Sequence, residues 1–128
     1  MKLDRSGLRR LLAVAILASL FSSAAPAQQQ SEPATRQYAV AVRFQNLESY
    51  DLAAAEWRKF LEQFPADPRA AKAQFNLGVC YYLDNKLDKA QATLETLIPK
   101  AADFEALDAA WLYLGAAQFG QARAGSAK

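Results

Sequence analysis

The chain has 128 residues, a formal net charge of +2 and 52% hydrophobic residues. That length holds one domain or one short repeat array, and that composition excludes collagen-like, mucin-like and wholly disordered chains. With no histidine and a single cysteine, most zinc sites, every histidine-based triad and any internal disulfide framework are excluded too.

Residues 1–27 read as an export signal. Lys2, Arg5, Arg9 and Arg10 precede an uncharged run from Leu11 to Phe21, and Ala25-Pro26-Ala27 supplies a small-residue cleavage pattern. The run is shorter than the ~20 residues that span a bilayer. The expected destination is the periplasm. The alternative is membrane attachment through an uncleaved segment. Removing 1–27 takes away four of 15 basic and one of 13 acidic residues, which leaves 11 and 12 and a net charge of −1. The basicity belongs to the signal, so nothing points to nucleic acid or anionic lipid as a partner.

Residues 28–34 (QQQSEPA) are polar and aperiodic and read as a flexible linker. From Thr35 the pattern is helical and recurs every 37 residues. Ala41, Gly78 and Gly115 share one phase, and so do Val40, Leu77 and Leu114, and Tyr38, Phe75 and Leu112. Ala53 matches Ala90, Trp57 matches Leu94, and Phe60 matches Leu97. Helices are predicted over about 35–46, 50–64, 67–83, 87–98 and 103–119. Ser49, Asp67 and Asp103 are the expected N-caps, and Pro68 suits a first turn. Pro99 and Gly120 are the expected stops, with a frayed, disordered tail over 120–128. The fold class is all-α: a solenoid of helical hairpins, about two and a half repeats long, in units 35–66, 67–102 and a partial 103–119.

The run Gln74-Phe-Asn-Leu77-Gly78-Val-Cys-Tyr81, with Ala90 and Leu94 after it, resembles the tetratricopeptide signature. Trp111-x-x-Leu114-Gly115 repeats its opening, and Ala53-x-x-x-Trp57 with Pro65 repeats its close. The period of 37, and Phe64-Pro65-Ala-Asp-Pro68 before Leu77-Gly78, are similar to repeats of bacterial envelope proteins. These are the Tol-Pal-associated cell-division coordinator and the outer-membrane assembly lipoproteins. The lipidated cysteine of the latter and the long N-terminal coiled coil of the former are lacking here.

The resemblance implies two sets of residues. Ala41, Ala53, Trp57, Leu77, Gly78, Tyr81, Ala90, Leu94, Trp111, Leu114 and Gly115 would pack one helix on the next. Tyr38, Val42, Gln45, Lys72, Phe75, Val79, Tyr82, Leu112 and Phe119 would line a concave groove for an apolar or amphipathic segment of another protein. Tyr82 and Phe119 are the two expected to be partly exposed. The lysine–asparagine clamp that some relatives use for acidic tails is not expected, because Tyr38 and Val42 stand at its places. The last unit carries more apolar surface than one helix can cover, so self-association or docking through it is expected.

No catalytic constellation is seen, and no cofactor or metal is expected. Asp103/Glu105 and Asp84/Asp88 are acid pairs without a nucleophile and read as caps and turns. Cys80 is expected in the core rather than as a redox sensor. The function expected is a non-catalytic adaptor or scaffold in the cell envelope. The alternative is a truncated or N-terminal piece of a longer solenoid with a structural role only.

Overall fold

The computed structural model describes residues 31–126. The expected export signal and residues 28–30 of the expected linker lie outside the described residues. Within them the chain forms α1 (Glu32–Asn46), α2 (Tyr50–Gln63), α3 (Ala70–Leu83), α4 (Leu87–Leu97), a 3-10 turn (Ile98–Lys100) and α5 (Leu107–Ser126), with no strand. Each helix packs mainly on its neighbours in the chain, so the helices form a consecutive stack.

The 37-residue interval is visible in the hydrogen bonds. In the α1–α2 turn, the Leu47, Glu48 and Ser49 amides donate to the Arg43, Gln45 and Phe44 carbonyls; the Asp84, Asn85 and Lys86 amides donate to Cys80, Tyr82 and Tyr81 at the same offset. Glu48 and Asn85 each hold φ 57°, the left-handed conformation that such a tight turn requires. The longer connection repeats too: Asp67 to Phe64 and Ala70 to Asp67 recur as Phe104 to Ala101 and Leu107 to Phe104. Between helices, Gln37 Nε2 donates to the Glu56 carbonyl at 3.2 Å, and Gln74 Nε2 donates to the Thr93 carbonyl at 3.2 Å.

The core follows from this register. Ala41, Ala53, Trp57 and Phe60 are fully buried in the first hairpin, and Ala90 and Leu94 in the second. Gly78 is in tight contact with Leu94, whose side chain occupies the space a Cβ would need. The nearest atoms to that missing Cβ are therefore those of Leu94.

Helix ends differ from expectation in five places. α1 begins inside the predicted linker, because Ser31 Oγ accepts from the Ala34 amide at 3.3 Å and Pro33 fits the first turn. Ser49 caps α2 by position only, without a side-chain bond. α3 and α5 start at Ala70 and Leu107, so Asp67 and Asp103 stand in the connections before them. α5 continues to Ser126 through Gly120. Gly120 is not a left-handed cap; Leu87 Cδ1 lies 2.7 Å from where its Cβ would stand, and Gln121 Nε2 donates to the Leu87 carbonyl at 3.1 Å and to Gln91 Oε1 at 2.8 Å. Contact with α4 thus carries the helix past the predicted stop.

Candidate protein-binding surface

The predicted groove residues divide into three groups. Those of α1 turn inward. Tyr38 lies edge-on to Trp57 and Phe60, with centroids 4.8 and 5.3 Å away, and Val42 packs half-buried on the same cluster. Gln45 Oε1 accepts from Trp57 Nε1 at 2.9 Å and stands 3.6 Å from Cys80 Sγ. These side chains seal the first hairpin and offer little to a ligand.

Those of α3 join α3 to the region of α5. Phe75 packs tilted on Phe104 at 5.6 Å and edge-on to Tyr113 at 6.1 Å, Tyr82 meets Tyr113 edge-on at 5.4 Å, and Val79 is buried. Lys72 is exposed and pairs with Glu105 at 3.7 Å. Those of α5 are open to solvent: Leu112 is 71% exposed and Phe119 66%.

Tyr82 and Phe119 share an open hollow of about 500 Å³ where the end of α3, the start of α4 and the middle of α5 meet. Leu83, Leu87 and Ala116 add apolar wall, and Asn85 and Arg123 add polar rim. A second hollow, of about 550 Å³, lies between the two long connections. Ala71 and Phe104 give it apolar wall as well, but Arg69, Lys72, Lys100, Asp103 and Glu105 line it too, against the single charged Arg123 of the first.

The predicted packing residues are buried except for two. Trp111 is 55% exposed, and a Cβ on Gly115 would meet nothing within 4 Å. Burial of a residue depends on a facing element, and among the described residues no helix lies on this side of α5.

Arg69 is an ordered feature that the pattern of apolar residues did not reveal. Its guanidinium holds the Asp67 carboxylate through two contacts, at 2.8 and 2.9 Å, and sits 4.8 Å over the Tyr38 ring. The Asp67 carboxylate also accepts from the Arg69 amide at 2.9 Å. The side-chain bond from Arg69 holds the Asp67 carboxyl below its ordinary range. A signal existed: an Asp-Pro-Arg turn, in which the aspartate can bond two residues on.

Burial pushes the Cys80 thiol up to about 11, so it stays protonated and a poor nucleophile at neutral pH. Among the described residues no three His, Cys, Asp or Glu side chains converge as metal ligands, and no helix is long and apolar enough to cross a membrane. No protein-family model, curated protein or solved structure matches the chain.

Proposed function

We propose that the chain is a non-catalytic, tetratricopeptide-like interaction module that binds an apolar or amphipathic segment of another protein in the bacterial cell envelope. The observation that carries this reading is the hollow walled by Tyr82, Leu83, Ala116 and Phe119, beside the exposed Leu112. Concave apolar surface with a few polar groups at the rim suits the apolar face of an amphipathic helix. The 37-residue recurrence of turns and packing contacts supports the repeat class, and the basic, apolar, small-residue order of 1–27 supports export.

Selection from a displayed library of amphipathic peptides tests the reading. Enriched sequences should share apolar residues at helical spacing. They should bind at least about tenfold more weakly to Phe119→Glu and to Tyr82→Ala, in line with the loss of a buried aromatic anchor. Equal enrichment on wild type and Phe119→Glu would count against it.

A further inference from the structure

We infer that α5 pairs with α5 of a second copy of this chain, antiparallel, about a twofold axis beside Gly115. The repeat itself defines the face. In α1, the residues turned toward α2 are Ala34, Gln37, Tyr38, Ala41 and Gln45: two buried alanines, two residues bonded to α2 and one aromatic packed on it. The same positions in α5 are Asp108, Trp111, Leu112, Gly115 and Phe119, and all five are exposed. In α3 the equivalent residues are covered from two sides: Gln74 and Gly78 meet α4, while Phe75 and Tyr82 pack on Phe104 and Tyr113. On α5 nothing among the described residues covers this face.

The face is complementary to itself. With Gly115 at the crossing, two backbones can approach as closely as Gly78 lets α4 approach α3. Residues on the same side of the helix, at offsets from position 115 that match to within one residue, then meet, so Leu112 (three before) lies against Phe119 (four after) of the second copy. Trp111 lies against Gln118 and Ala122 of that copy. Asp108 falls within reach of its Arg123, one residue beyond strict opposition, on the same side of the pair as Leu112 and Phe119. Neither Asp108 nor Arg123 has an ion-pair partner among the described residues. The twofold makes this ion pair twice, as an isologous contact must. A covering helix of unrelated sequence has no reason to answer both charges and the apolar order at once. Phe119 and Arg123 also border the Tyr82 hollow, so a second copy and a peptide in that hollow would compete for them, and the dimer is tested in the absence of peptide.

Light scattering on the full chain over a concentration series tests it, without any peptide present. Wild type should pass from monomer to dimer. Asp108→Arg and Arg123→Asp should each weaken the dimer at least about fivefold, and the double reversal should restore it. Independently, Gly115→Cys should form a covalent dimer under mild oxidation while Lys59→Cys does not, because the native Cys80 is buried. A monomer at every concentration overturns the proposal. If Trp111 is shielded from quencher in that monomer, the face belongs to another part of this chain. A double reversal as weak as the single ones overturns the antiparallel register.

Discussion

Leu94 occupies the place a side chain on residue 78 would take: a Cβ there would stand 2.7 Å from Leu94 Cδ2 and 2.8 Å from its Cγ. Leu94 is fully buried, so it has little room to turn away. Position 115, in the same phase of the repeat, is open. Two identical substitutions should therefore have opposite signs. Gly78→Ala gains up to about 1 kcal/mol of helix propensity but overpacks the core, for a net loss of about 1–2 kcal/mol. Gly115→Ala keeps the propensity gain and should stabilise by about 0.5–1 kcal/mol. Urea denaturation of dilute protein reads both. Equal shifts would mean that Gly78 is not a close-approach position.

What the sequence revealed and what it withheld follow one physical division. Small residues at Ala41 and Gly78 and large ones at Trp57 and Leu94 are set by local spacing, and spacing is readable. The exposure of Trp111 and Gly115 is set by what faces them, which no local pattern states. Gly120 was misread for a similar reason: it resembles a helix stop, yet Leu87 makes it a packing position. Gln45 fits a groove by phase, but the neighbouring Trp57 indole turns it into a core acceptor.

The Asp67–Arg69 pair links two hairpins, because Arg69 rests on Tyr38 and Phe60 of the first hairpin while standing just before α3. The side chains of Arg69 and Asp67 are 16% and 4% exposed. Arg69→Met keeps the apolar contact with the rings and leaves a mostly buried carboxylate unpaired, at a loss of about 1–3 kcal/mol. The pH dependence has a defined sign. A carboxyl held below its unfolded value, about 3.9, adds stability that is full above that pH and is lost as pH falls through the folded value. The acid limb of the wild-type stability curve should therefore be steeper than that of Arg69→Met below about pH 4. Superimposable limbs from urea titrations would remove Asp67 as a linked group.

Gln45 Oε1 is shared by the Trp57 indole and stands near the Cys80 thiol, so one amide oxygen serves α2 and α3 together. Gln45→Leu strands a buried indole N–H and should cost about 1–3 kcal/mol. In the folded wild type, Cys80 should react slowly with maleimide at neutral pH. The labelling rate should follow global unfolding and rise in Gln45→Leu in proportion to its lost stability. The thiol pushed up to about 11 keeps its proton where an unfolded thiol, near 8.5, loses it. Stability from this source is full below about 8.5 and falls as pH climbs toward 11. Rapid labelling of native protein would contradict the buried, neutral thiol.

Glu48 and Asn85 hold the same φ of 57° in equivalent turns, but they do not bear the strain equally. Asparagine visits the left-handed region readily, since its short amide can bond the local backbone, whereas glutamate gains nothing there. The first turn is thus the weaker of two otherwise matched turns. Glu48→Gly and Glu48→Asn should each stabilise the fold by up to about 1 kcal/mol, and Asn85→Glu should destabilise it by a similar amount. Asn85→Val should do more harm, because a β-branched side chain adds crowding at positive φ. Thermal melts of the four variants decide the point. The expected order is both Glu48 variants above wild type, then Asn85→Glu, then Asn85→Val. A Glu48→Gly melt at or below wild type would show that the glutamate contributes something beyond its backbone conformation.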